Sequence, residues 1–276
     1  MPFYAHIDWT RPWYASILPA AQKILATQDW RGALNQTARE MSLRNHRDLP
    51  LQFIPQVDLP EGVAYESHIS SAGKVPTREN LHDFFNALVW LSFPKIKRQL
   101  NALQAAQIAQ LGIGKSRGPA RDAATIFDEN AAILVLEDSD IGRRLLAHLK
   151  AHEWQEALYD MSASFGAQAQ VWSFGHALME KLVQPYKAIT AHTWVVWAKS
   201  EFFVMSHDAQ AAWIDESVSA TLQSHVLSTA DYTPLPVAGI PGWSVQQSVE
   251  FYQDTTVFRP QRIKSADDTA RAASVP

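Results

Sequence analysis

Apolar residues surround almost the whole circumference of one predicted helix, NLHDFFNALVWLSF, between Pro76 and Pro94. Thr77 is its predicted N-cap, and Pro94 is expected to end the helix and restart the chain. A helix that is apolar on nearly all sides is usually buried. The run nevertheless contains four polar residues, Asn80, His82, Asp83 and Asn86. Burying them without partners would cost about 2–7 kcal/mol each, so we expect all four to be hydrogen-bonded.

The remaining periodicity predicts a mainly helical α+β fold, with a small β-sheet or hairpin packed on buried helices. Further helices are predicted at about 17–41, 64–72, 95–111, 139–150, 170–183 and 207–222. Extended segments are predicted at 51–57 and 188–198, and a Pro/Gly loop over 233–243. A hairpin is predicted over 123–137, with Asp128, Glu129 and Asn130 as its turn-forming residues. Without a repeat or a linker-like stretch, we expect one globular domain over 1–264 and a mobile tail over 265–276.

The composition indicates a large hydrophobic core and argues against several classes of function. Hydrophobic residues make up 47% of the 276, which is typical of a folded chain. A net charge of −4 without a basic block argues against nucleic-acid binding. The absence of Cys excludes disulfides, thiolate metal sites and cysteine nucleophiles. The N-terminus lacks a signal-peptide pattern, and no uncharged stretch approaches the ~20 residues of a membrane span, so we expect a soluble, cytoplasmic protein.

The loop GIGKSRGP resembles two phosphate-binding motifs but satisfies neither. A P-loop would need Gly where Ala109 stands, and a dinucleotide fingerprint would need Gly in place of Arg117. Two interpretations stay open for this segment. It is either a solvated basic turn, or a site where Lys115, Arg117 and Arg121 hold a single phosphate on backbone N–H groups.

Histidines carry the candidate chemistry. His176 and Glu180 are four residues apart and share a helix face, where they could bind a metal ion, share a proton, or form only a surface hydrogen bond. The candidate ligands of a divalent metal are His82, His176, Glu180 and His192. The catalytic candidates are Asp83 as an orienter or base, and Arg121 or Lys187 as an anchor for an anion.

Six motifs together resemble the bacterial family called domain of unknown function 3025. They are LPLQFIPQ, VPTRENLHDFFNALVWLSFPKIKRQLNALQA, RGPARDAATIFDENAAIL, FGHALMEKLVQPYKAITAHTW, PLPVAGIPGW and FYQDTTVFRP, within residues 49–260. The resemblance implies membership but supplies no activity.

Two functions therefore remain open from the sequence. One is a metal-assisted or acid–base hydrolase acting on a small or phosphorylated substrate, and the other is a non-catalytic binding protein with a structural polar core. The first predicts that His82 and His176 face one polar pocket, with Glu180 and His192 within reach and Asp83 behind them. Six residues are predicted to lie in the core: Leu81, Phe85, Leu88, Trp172, Leu178 and Trp194.

Overall fold

The computed structural model describes residues 2–111 and 118–261. The predictions for Lys115, for Arg117 and for the tail at 265–276 lie outside these residues. The division into a domain over 1–264 and a tail therefore stays a prediction. Within the described residues, buried apolar side chains from Tyr4 to Phe258 form one connected cluster.

The fold is mainly helical α+β, as the sequence predicts, with two small sheets. The α-helices are α1 (Leu18–Leu25), α2 (Trp30–Glu40), α3 (Tyr65–Ala72), α4 (Leu81–Ser92), α5 (Pro94–Leu111), α6 (Pro119–Asn130), α7 (Asp140–Ala151), α8 (His176–Lys181), α9 (His207–Ser224) and α10 (Val249–Tyr252). The strands are β1 (Gln52–Pro55), β2 (Lys74–Thr77), β3 (Ala131–Glu137), β4 (Ala169–Ser173), β5 (Thr190–Ala198) and β6 (Thr233–Pro236).

The larger sheet has the strand order β4-β3-β5-β6 and places β3 at the centre of the molecule. Strand β3 pairs in parallel with β5 and antiparallel with β4. Residues 131–136 of β3 are all buried, as expected of a strand covered on both faces. The smaller sheet pairs β1 with β2 in parallel, and the intervening α3 ends at Gly73, whose positive φ of 70° suits a helix C-cap.

Helix α4 is buried as predicted, but its N-cap is Asn80 and not Thr77. The Asn80 side chain accepts a hydrogen bond from the Asp83 amide, whereas Thr77 is the last residue of β2. Of the predicted core residues, five are buried: Phe85, Leu88, Trp172, Leu178 and Trp194. Leu81 is only partly buried and packs against the edge of the core.

The predicted hairpin over 123–137 is wrong, because residues 119–130 form α6 and only 131–137 are extended. The residues of α6 that become buried are Ala123, Ala124, Phe127 and Asp128, a helical spacing that places three apolar side chains and one carboxylate on a single face. Asp128 and Glu129, which the sequence predicts to lie in a turn, belong to the last turn of this helix. The chain enters β3 directly after it.

The predicted helix over 170–183 is also wrong in its first half. Residues 169–173 form β4, in which Trp172 pairs with Ile133 of β3, and only 176–181 are helical. Tertiary pairing overrides the helical pattern here, since β-sheet preference depends strongly on the neighbouring strand. The predicted loop over 233–243 likewise contains a short strand, β6, whose Pro234 and Pro236 suit the edge of a sheet.

No helix in the described part of the chain is both long and apolar enough to cross a membrane.

Candidate functional site

Five helices, α3, α4, α5, α6 and α8, and the segment before α4 contribute to the wall of a polar cavity of about 300 Å³. Its wall includes Tyr65 and Glu66 of α3, His82, Asp83 and Asn86 of α4, Arg121, Thr125 and Asp128 of α6, and His176 of α8, with Arg78 entering from the segment before α4. Three of the four polar residues in the apolar run, His82, Asp83 and Asn86, therefore face the same space as His176, the first residue of α8.

A chain of three side chains links α4 to α8 at this cavity. His82 Nε2 lies 3.1 Å from His176 Nε2, and His82 Nδ1 lies 2.9 Å from the Glu180 carboxylate. The His82 side chain is 35% exposed, whereas the His176 residue is only 5% exposed. Glu180 is one helical turn from His176, as predicted, but it contacts His82 on the neighbouring helix.

Gly175 sets the position of His176. The Gly175 amide donates to the Ala131 carbonyl at 2.8 Å, which holds the start of α8 against the junction of α6 and β3. A Cβ atom at Gly175 would lie 2.4 Å from the Glu129 carbonyl oxygen and 2.5 Å from the Asn130 amide nitrogen. Only glycine allows the two backbones to approach so closely.

We expect Gly175→Ala to destabilise the fold by about 1–3 kcal/mol, because backbone atoms must move to admit the methyl group. The displacement should also separate His176 from His82. Chemical denaturation gives the first effect, and a nuclear Overhauser contact between the two imidazole rings reports the second. Unchanged stability with an intact ring contact would show that α8 tolerates the side chain.

Behind the histidines lies a buried network centred on Lys97 of α5. Its ammonium donates to Asp128 Oδ1 at 2.5 Å and to Asn86 Oδ1 at 2.8 Å, and Asn86 Nδ2 donates to the Tyr65 hydroxyl at 2.9 Å. The Lys97 side chain is 4% exposed and that of Asp128 is 10% exposed. The second Asp128 oxygen faces His176 Nδ1 at 3.9 Å.

Burial and neighbouring charges shift the acid–base properties of the cavity. Burial lowers the pKa of His176 to about 4, against the opposing effect of Asp128, so His176 is neutral at neutral pH. Burial alone would raise the pKa of Asp128, but Lys97 and His176 hold it below its usual value. Burial, reinforced by the Asp128 charge, raises the pKa of the Glu66 carboxyl. Burial and the charge of Glu66 hold the pKa of Tyr65 well above its usual value.

The two facing Nε2 atoms require a proton or a cation between them. Two lone pairs 3.1 Å apart would repel, so either one nitrogen donates a proton to the other or both face a shared cation. Two nitrogens bound to one ion at ~2.0–2.1 Å lie within about 4 Å of each other, so this spacing also fits a shared ion.

The predicted metal ligands are brought together only in part. His82, His176 and Glu180 are adjacent, but His192 lies apart on β5, where its ring packs edge-on to Tyr232 with centroids 6.2 Å apart. Among residues 2–111 and 118–261, no group of three or more His, Asp or Glu side chains is arranged to hold a metal ion.

The three catalytic candidates have different surroundings. Asp83 lines the cavity and binds Arg78 through both oxygens, at 2.9 and 3.0 Å, so it orients a cation and not His82. Arg121 lines the same cavity. Lys187 lines a different one, where its ammonium binds Asp254 at 2.7 Å and lies over the Phe251 ring.

Sequence reasoning missed Lys97, Glu66 and Arg78, and it interpreted Asp128 only as a turn former. One signal was available for Lys97, which falls on the apolar stripe of α5 between Phe93 and Leu100. A lysine on a buried stripe needs an anion, because an uncompensated charge is costly to bury. Glu66 gave no comparable signal.

The chain belongs to the family described as Protein of unknown function (DUF3025), which matches residues 51–262. The match confirms the family resemblance of the motifs, and it spans all the cavity-lining residues, from Gln56 to His176, together with Glu180. No curated protein and no solved structure matches the chain.

Proposed function

We propose that the protein is an acid–base hydrolase that acts on a small anionic substrate, such as a phosphorylated compound. The observation that carries the proposal is the Glu180–His82–His176 chain at the wall of the cavity. A carboxylate paired with an imidazole is a common arrangement for groups that take up and release a proton during catalysis.

In this proposal the His82–Glu180 pair takes the proton from the attacking water, and the proton arrives at the carboxylate oxygen of Glu180 that does not face His82. His82 is the more exposed of the two histidines, and its two ring nitrogens face Glu180 and His176. His176 is buried and neutral, so it supports His82 and does not take up the proton itself. Glu66, whose raised pKa favours the protonated carboxyl, is the cavity residue best suited to protonate the leaving group.

The charge on the cavity wall favours an anionic substrate. Arg78 and Arg121 both line the cavity, and Asp83 fixes the guanidinium of Arg78 with two hydrogen bonds. A fixed guanidinium is well suited to carboxylate or phosphate recognition. A volume of about 300 Å³ is at the small end of the range for ligand pockets, which supports a small substrate.

A metal-assisted reaction is the second form of the same proposal. It is supported by the Nε2–Nε2 spacing of 3.1 Å and by the carboxylate behind each Nδ1, since such carboxylates commonly orient metal-binding imidazoles. The acid–base form is preferred because the described residues bring together only two imidazoles for an ion.

A non-catalytic binding protein is favoured by one specific observation, the buried network of Lys97, Asp128 and Asn86. Buried polar groups that are hydrogen-bonded to one another can have a purely structural role, which is to specify the fold. On that hypothesis the cavity binds an anion without turning it over.

The test is hydrolysis of a panel of small phosphate and carboxylate esters by the full chain. We expect H82Q to lower kcat/KM by about 10²–10⁴-fold, the usual contribution of a general base. H225Q is the matched control, because His225 is an exposed imidazole that is also hydrogen-bonded to a carboxylate, that of Asp231. It should leave the rate unchanged.

Two further outcomes separate the alternatives. Loss of activity on chelation, restored by a divalent metal, would establish the metal-assisted form. Phosphate binding at the cavity with no hydrolysis of any ester would support the binding protein, and H82Q activity equal to that of the unchanged chain would contradict the role of His82.

A further inference from the structure

We propose that Asp128, clamped by Lys97, is a positioning residue that holds neutral His176 as the Nδ1–H tautomer and thereby makes His82 the proton-carrying histidine of the pair. The inference deepens the proposed function, but its structural part concerns only where the imidazole protons sit. It can therefore be tested without a substrate.

The first step concerns the buried Nδ1 of His176. This atom has no hydrogen-bond partner of good geometry among the described residues, an Asp128 carboxylate oxygen lies 3.9 Å away, and the Asp128 backbone also favours a proton on the ring. Lys97 binds the other Asp128 oxygen and keeps the carboxylate ionised. A lone pair on Nδ1 would face that negative charge, whereas an N–H would be attracted to it. In a buried site such an interaction is strong, so the Nδ1–H form is favoured.

The second step follows from the count of protons. A neutral imidazole with a proton on Nδ1 has only a lone pair on Nε2. His176 must then accept a hydrogen bond at Nε2, and His82 Nε2, 3.1 Å away, must donate it. His82 Nδ1 faces Glu180 at 2.9 Å, so one further proton is shared between that imidazole and that carboxylate.

His82 and His176 therefore have different roles, and these roles do not follow from the exposure of the two rings alone. The proton available to a substrate lies on the His82–Glu180 pair, next to the cavity, while His176 only accepts. Although Asp128 is part of the cavity wall, its proposed role is exerted through His176 and not on the substrate.

The experiment is a set of long-range proton–nitrogen NMR correlations of the imidazole rings in the full chain at neutral pH. In the unchanged protein we expect His176 to be the Nδ1–H tautomer, in roughly tenfold or greater excess, because the buried Asp128 carboxylate attracts an N–H and repels a lone pair. The opposite tautomer would overturn the inference with no variant needed.

D128N should reverse the tautomer. Lys97 will bind the amide oxygen, which turns the amide NH₂ toward His176 Nδ1 and requires a lone pair there. His176 then carries its proton on Nε2 and donates to His82. D122N is the matched control, because Asp122 is exposed on the same helix, and it should leave the tautomer unchanged.

The outcomes separate this inference from the proposed function. A reversed tautomer in D128N, with no ester hydrolysed by the unchanged protein, would support the positioning role and refute the hydrolase. Hydrolysis that depends on His82, with a His176 tautomer insensitive to D128N, would do the opposite. If the hydrolase holds as well, D128N should lower kcat and alter its pH profile, with KM little changed.

Discussion

Replacing Lys97 with methionine will lower the free energy of unfolding by about 3–5 kcal/mol, because it leaves the Asp128 carboxylate buried without its cation. The lysine side chain is 4% exposed and binds both Asp128 and Asn86. Methionine preserves much of the apolar volume of the lysine stem, so most of the loss comes from the charge and not from a cavity. Urea denaturation followed by tryptophan fluorescence measures the change.

Two variants show whether the charge is responsible. The double variant K97M/D128N removes both charges and should recover much of the loss, since replacing both members of a buried ion pair costs far less than breaking it. K95M removes the ammonium of an exposed pair with Glu216 and should change stability by about 1 kcal/mol or less. A K97M effect as small as that of K95M would show that Asp128 finds another partner or takes up a proton.

The sequence predicted that the polar residues of α4 have partners, but it could not name them. Burial of a helix follows from its own apolar pattern, whereas the partner of His82 depends on how α8 packs against α4. The i,i+4 relation of His176 and Glu180 was predicted as a pair on one helix. In the structure the two residues meet through His82, which only the packing of the helices can determine.

The same limit explains the errors at α6 and β4. The segment that contains Asp128 and Asn130 has turn-forming residues, but burial of Phe127 makes it the end of a helix. Trp172 fits a helical pattern until β3 supplies a strand for it to pair with. Because Asp128 was read as part of a turn, its place beside His176 could not be inferred.

Sequence reasoning succeeded where the apolar pattern of one helix is enough to decide whether a side chain is buried. Phe85 is such a residue, since an apolar helix that is buried on most sides needs large side chains to fill the space around it. It is fully buried, and its ring stacks on Tyr14 with centroids 5.5 Å apart. The rings of Trp9 and Phe84 also pack around it, each with its centroid 6.2 Å from that of Phe85.

Phe85→Ala will lower the free energy of unfolding by about 3–5 kcal/mol, through the lost transfer of the ring from water and the cavity left beside Tyr14. Equilibrium denaturation measures it. Phe203→Ala is the matched control, because Phe203 is partly exposed at the end of a short 3-10 helix and should lose less. Phe85→Leu keeps much of the apolar volume, so it should fall between the unchanged protein and the alanine variant. Equal effects of the two alanine substitutions would mean that the aromatic cluster around α4 collapses to fill the space, and that its packing does not depend on this ring.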